Sequence, residues 1–242
     1  MAIVRVQSKW DMDFSAGGGN SFNMAYGSNV QAGDLLLHGF IWLPTSPNNN
    51  QTWSSVTDTQ GNLWTVLPTS KATMFIASSS YYCNIQWAWA IAKSSGANTV
   101  TANFTGPDAV PYIWRTLLEV SGTDPVNPID GVAANTGTSA APSAGTVASF
   151  SSSSQEYGVT IMIQADTGAL GSDFTPGSGW TKQYDIGAGN SNQFFEDGFF
   201  NAAPVSGNAT TSANAIWVAS MLMIKQPAST FLFAGLSGVG SG

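Results

Sequence analysis

Residues 82–93 read YCNIQWAWAIAK, and this stretch decides the fold. Cys83, Ile85, Trp87, Trp89 and Ile91 point one way, while Asn84, Gln86, Ala88, Ala90 and Ala92 point the other. A period of two is a strand with one large apolar face for a core and a smaller face in or near solvent. The alternation recurs in 98–104, where Val100, Ala102 and Phe104 oppose Thr99, Thr101 and Asn103. In 213–225, Ile216, Val218, Leu222 and Ile224 oppose Trp217, Met221 and Met223. Both faces of that strand are apolar, which places it inside a sheet and not at its edge.

Further strands are expected near 2–10, 34–43, 53–57, 62–67, 73–78, 111–121, 157–165, 180–184 and 193–200. Asp58-Thr59-Gln60-Gly61-Asn62 has the polar and glycine content of a hairpin turn. No segment carries a helical apolar stripe with caps. Residues 122–149 and 166–179 read as two long connections rich in Gly, Pro and small residues. The expected core includes Ile85, Trp87, Trp89, Ile91, Val100, Leu118, Ile161, Ile163, Ile216 and Val218. The organisation expected is one sandwich domain, 1–226, then an apolar and glycine-rich tail, 227–242.

Composition restricts the function. Charged residues make up 9% of the chain, against about 25% in ordinary soluble domains, so hydroxyl and amide groups must carry the surface. A net charge of −7 with seven scattered basic residues speaks against nucleic acid, whose phosphates need clustered Lys and Arg. No apolar run approaches a membrane span. The first ten residues read as a strand and not as a secretory leader.

Reactive groups are scarce. The glutamates are Glu119, Glu156 and Glu196, and none belongs to the alternating carboxylate pattern of sandwich glycosidases. Glu196 and Asp197 are adjacent, so in a strand they face opposite sides. The carboxylates are expected to be solvated or to form turns. His38 follows three leucines and is expected in a core or at a sheet edge, bonded to a carbonyl. Cys83 lies on the large apolar face and reads as a buried thiol. One His and one Cys leave no transition-metal set. Asp124 with Asp130 is a weak calcium candidate, as are Asp11 with Asp13 and Asp58 with Asn62, although Asp and Asn also build turns on their own backbone. No cofactor is expected.

Aromatic side chains are the remaining resource. Trp53, Trp64 and Trp180 lie near strand ends or loops and are the candidates for stacking a glycan; Trp42 is placed similarly. Trp87, Trp89, Trp114 and Trp217 read as core. In the tail, Phe231, Leu232, Phe233 and Leu236 follow Pro227, which stops strand pairing. Adjacent large residues in an extended chain face opposite sides, so the tail is expected to dock in a cleft between subunits.

The succession AGDLLLHGFIW, WSSVTDTQGNLWT, NIQWAWAIAKSSGANTVTANFTG, LLEVSGTDPVNPIDG and SANAIWVASMLMIK resembles jelly-roll sandwiches of the concanavalin-A-like type. Such modules occur in bacterial surface proteins and in phage virion proteins. The resemblance spans roughly residues 30–225 and is one of strands and turns. It implies an all-β, two-sheet antiparallel jelly-roll-type sandwich.

Three functions are compatible with these readings. The first is a non-enzymatic virion structural protein, such as a capsid decoration protein or a fibre or spike component. It would form homo-oligomers and dock on a major capsid or other virion protein. The second is a secreted or surface-displayed lectin-like module with a glycan partner. The third, ranked last, is a degenerate glycosidase.

Overall fold

A computed structural model of the chain describes residues 2–13, 19–44, 51–106, 110, 112–151, 155–165, 174–188 and 191–228. Among them are sixteen strands and no helix. The first eight are β1 (Val4–Asp13), β2 (Ser21–Ala25), β3 (Leu35–Leu43), β4 (Thr52–Asp58), β5 (Thr65–Ile76), β6 (Tyr81–Ile91), β7 (Thr99–Thr105) and β8 (Tyr112–Ser121). The second eight are β9 (Ile129–Ser139), β10 (Ser143–Val147), β11 (Glu156–Ala165), β12 (Thr175–Pro176), β13 (Thr181–Ala188), β14 (Ser191–Phe200), β15 (Val205–Thr210) and β16 (Ala215–Ile224).

The expected antiparallel jelly-roll sandwich is present, and it is present twice. Strands β1–β8 form a five-stranded sheet, β1-β8-β3-β6-β5, and a three-stranded sheet, β2-β7-β4. Strands β9–β16 repeat the arrangement as β9-β16-β11-β14-β13 and β10-β15-β12. Adding eight to each strand number of the first half gives the second half. The five-stranded sheets face each other across the main core, which draws on Leu37, Trp87 and Leu118 from one and Ile161, Phe195 and Val218 from the other. Each small sheet covers the outer face of its own large sheet, over Phe40, Trp53 and Phe104 in the first half. Met162, Phe174 and Met221 lie beneath the small sheet of the second half. Four layers result, in the order three, five, five and three strands.

This stacking corrects the reading of 82–93. Its small face is not in solvent: Asn84, Gln86, Ala88 and Ala90 are buried, because the β2-β7-β4 sheet lies over them. Alanines there leave room for the large rings of that layer. Trp89 and Ile91, expected as core, are partly buried and pack on its margin. The two-faced reading of 213–225 holds, since β16 sits between β11 and β9.

Five strands were not foreseen, namely β2, β9, β10, β12 and β15. Four of them belong to the small outer sheets, and β9 is an edge strand inside the supposed 122–149 connection. Their side chains are small because their neighbours are large. A Cβ on Gly137 of β9 would meet the Trp217 ring at 2.5 Å, and one on Gly207 of β15 would meet Thr160 Oγ1 at 2.7 Å and Met221 Sδ at 2.9 Å. The segments 62–67 and 73–78 join in one strand, β5, with a register break between Leu67 and Ala72.

Polar contacts set how the halves meet. Arg5 of β1 pairs with Asp197 of β14, and Trp10 packs on Tyr184 with ring centroids 5.4 Å apart. The Tyr184 hydroxyl bonds Thr116 of β8 and accepts from Gln193 Nε2 at 3.0 Å. Ser220 Oγ donates to the Ser70 carbonyl at 2.7 Å, and Ser70 Oγ accepts the Trp87 amide at 2.9 Å. At the centre, Gly39 of β3 lies under Ile161 of β11, where an added Cβ would fall 2.9 Å from Ile161 Cδ1 and 2.8 Å from the Trp87 ring. Both contacts belong to the packed core, so neither neighbour is free to swing away. Gly39→Ala is expected to cost about 1–3 kcal/mol by overpacking. Gly27→Ala, whose Cβ meets nothing nearer than 3.7 Å, is expected to change stability by less than about 0.5 kcal/mol. Urea denaturation of both variants checks this; equal effects would mean that the centre repacks freely.

Candidate functional site

The three glutamates are all buried, which overturns the expectation of solvated or turn-forming carboxylates. Glu119 lies in the two-faced strand β8, and its position between Leu118 and Val120 was the signal for burial. It accepts from Gln7 Nε2 at 2.5 Å and from the Gln31 amide at 2.6 Å. It is also hydrogen-bonded to Asp34, whose pKa rises to about 6 through burial and then through this neighbour. Two carboxyls in direct contact leave no space for the glycosidic bond that a retaining pair flanks at about 5–5.5 Å. Glu156 is hydrogen-bonded to Asp130, which also takes the Ser151 amide at 2.6 Å and Lys225 at 3.5 Å. Burial alone would raise Asp130, but these partners hold it below the ordinary carboxylate value.

Glu196 and Asp197 face opposite sides of β14, as adjacency requires. Asp197 turns inward and takes Arg5, the Tyr157 hydroxyl at 2.6 Å and Gln183 Nε2 at 2.7 Å. Glu196 turns to the outer layer, and its carboxyl oxygens have no hydrogen-bond partner. Burial pushes its pKa up to about 9; the Gly177 amide, which donates at 2.8 Å to the Asn208 carbonyl, offsets only part of this. Glu196 is therefore uncharged at neutral pH.

His38 is buried, with Nδ1 at 3.2 Å from the Thr116 carbonyl oxygen, and burial lowers its pKa to about 3. Cys83 is buried, which pushes its thiol above the ordinary range. Among the described residues, no group of three or more His, Cys, Asp and Glu side chains is placed to hold a metal ion. Of the calcium candidates, Asp124 takes the amides of Val126 at 2.8 Å and Asn127 at 2.9 Å in a turn, while Asp130 is occupied as described. Asp11 pairs with Arg115. Asp58 collects the Asn62 amide at 3.0 Å, Asn62 Nδ2 at 2.7 Å, Trp64 Nε1 at 2.9 Å and Asn98 Nδ2 at 3.0 Å.

The three aromatic candidates do not share a surface. Trp53 is 3% exposed, stacked on Phe104 with centroids 6.3 Å apart and set edge-on to His38, so it is core. Trp64 is half-buried, and its indole pins the hairpin through Asp58. Trp180 belongs to the other half. It is 7% exposed, and it lines an open cleft of about 280 Å³ with Phe200, Pro204, Ser178, Ser206 and Asn208. Its Nε1 donates to the Ser206 carbonyl at 2.8 Å, and its ring lies 4.9 Å from that of Phe200. Sequence reading found Trp180 but not its companions, because β15 was unrecognised.

The exposed large apolar side chains among the described residues are Val4, Val6, Trp10, Leu63, Phe75, Val126 and Phe199. Val4 pairs with Ser121, which leads into the 122–128 connection that carries Val126. The Asp124 amide donates to the Lys225 carbonyl at 2.9 Å, just after Ile224, which pairs with Tyr157. Tyr157 packs on Phe199 at 5.0 Å. Val4, Val6, Val126 and Phe199 thus lie toward the same end of the stack. The tail residues Phe231, Leu232, Phe233 and Leu236 lie outside the described residues.

No model of a known protein family matches the chain, and no curated protein matches it.

Glu196 gives a pH signature. The folded state holds a proton that the unfolded chain releases above its ordinary value of 4.5, so this contribution is complete below pH 4.5 and is lost as pH rises through about 9. Stability to urea is expected to decline across that interval, and Glu196→Gln should flatten the decline. Parallel pH profiles for the two proteins would show that Glu196 is solvated.

Proposed function

We propose that this chain is a non-enzymatic structural protein of a virion, either a decoration protein or a component of a fibre or spike. What carries the reading is that four of the seven exposed large apolar side chains among the described residues, Val4, Val6, Val126 and Phe199, lie toward one end of the stack, in a chain with only 9% charged residues. Exposed apolar groups that cluster, in place of lying scattered, are the usual mark of an association surface. Six of the seven basic side chains have partners within the fold. Arg5, Arg115, Lys182 and Lys225 are in ion pairs, Lys93 donates to the Gly61 carbonyl at 2.6 Å, and Lys71 sits 5.7 Å from the Trp42 ring centroid. The buried carboxyls described above are likewise committed to internal partners or held uncharged, which supports a scaffold over a catalyst. The sequence after residue 228 contains the apolar group Phe231, Leu232 and Phe233. A second copy, or the capsid protein beneath it, is the partner that end fits.

Strand addition along β1 is not the mode of contact. A bulge between Arg5 and Gln7 and the exposed Lys9 both discourage edge pairing, so the contact is made by side chains. The full chain is expected to self-associate with concentration in sedimentation experiments, or to bind purified particles of its source in regular positions visible by electron microscopy. The double variant Val6→Lys, Phe199→Lys should lose this association while its unfolding free energy changes by less than about 1 kcal/mol, both sites being exposed. A wild-type chain that stays monomeric and is absent from those particles overturns the proposal.

A further inference from the structure

The second outer layer carries a feature that an assembly role does not use. We propose that the cleft lined by Trp180 and Phe200 binds one uncharged sugar ring at the end of a glycan. The walls supply the two kinds of surface a sugar presents. Half-buried Phe200, with the small exposed part of Trp180 beside it, offers aromatic area to its C–H face, and Ser178, Asn208 and Ser206, whose hydroxyl also bonds Thr146 Oγ1 at 2.7 Å, offer hydroxyl and amide groups to its hydroxyls. None of the lining residues is charged, so a carboxylate- or sulfate-bearing ring would be desolvated there without a counter-charge. The volume of about 280 Å³ is just under the range of about 300–1,000 Å³ for drug-sized ligands, which suits a single ring.

The cleft is preformed. The indole of Trp180 is fixed by its bond to the Ser206 carbonyl, and the backbone around it has been cleared by glycines. A Cβ on Gly158 would lie 2.8 Å from the Trp180 ring and 2.9 Å from Phe200, and one on Gly179, at φ +85°, would lie 3.0 Å from Phe200. The two rings therefore sit on backbone and cannot sink further. Asn208 is exposed at the rim, and its side-chain oxygen is held over Gly177, where a Cβ would be only 2.0 Å away. Among the described residues of the first half the outer layer is packed differently. The outer face of its β3 and β6 is filled by Phe40, Trp42 and Ala88, closed beneath Trp53 and Phe104.

The test is saturation-transfer NMR on the full chain with methyl glycosides of neutral hexoses and N-acetylhexosamines, beside a methyl uronide. At least one neutral glycoside is expected to receive transfer, strongest on one face of its ring, with about millimolar affinity, and the uronide none. The same sugar placed inside a linear oligosaccharide should bind about tenfold more weakly than at its non-reducing end. Ala202→Trp, at an exposed position of the cleft lining, should abolish transfer with an unchanged melting temperature. Should that variant unfold, Asn208→Ala, which truncates an exposed side chain, serves in its place and should weaken binding severalfold. Absence of transfer to every neutral glycoside, or transfer that persists in the blocked variant, overturns the inference. Neither result touches association through the apolar end, which is read separately by sedimentation.

Discussion

Everything in this molecule depends on the apolar contact between the two five-stranded sheets. Each of these sheets has two faces that water cannot be allowed to reach. A small sheet from the same half covers one, and only the other half covers the second. The buried side chains of that middle layer, among them Leu37, Trp87, Tyr157, Ile161 and Phe195, each contribute about 1.5–3 kcal/mol when removed from water. A separated half would expose its entire inner face. The hydrogen bonds of Tyr184, Thr116, Ser70 and Ser220 add direction to this non-directional attraction, so that the sheets meet in one register. Gly39 then allows the closest approach at the centre, where a side chain would hold the layers apart.

The strands of these inner sheets were legible because large and small residues alternate strongly along them. The outer sheets were not, since strands such as Ser143–Val147 and Val205–Thr210 are built from residues that turns also use. The glycine of the latter makes sense only once Thr160 and Met221 are seen filling the space against Gly207. The repeat was hidden for a related reason. If Gly39 and Ile161 are taken as equivalents, each paired with the corresponding strands, then Leu36 matches Gly158, His38 matches Thr160 and Ala88 matches Glu196. Such pairs share a location and almost no chemistry. The aromatic candidates were misjudged for want of one fact. A tryptophan near the end of a strand is exposed only if no further layer lies above it, and here one does.

The distribution of charge follows from the same architecture. With so few ionisable groups, and many of them tying strands, turns and halves together, the outward surface relies largely on hydroxyls and amides. Contacts made by such a surface, together with a few clustered apolar side chains, have little Coulombic component and are weakly screened by salt.

The two sandwiches meet as the subunits of a symmetric dimer would, yet they are one chain. In a homodimer every substitution is made twice and often meets its own image across the axis, so that a change tolerated on one side must be tolerated on both. Here each is made once. That freedom is visible in what the halves have become: one has closed its outer layer around Trp53 and Phe104, while the other has kept a gap beside Trp180 and Phe200. Covalent linkage lets the two copies of one fold diverge independently, so that a substitution in one outer layer need not be matched in the other.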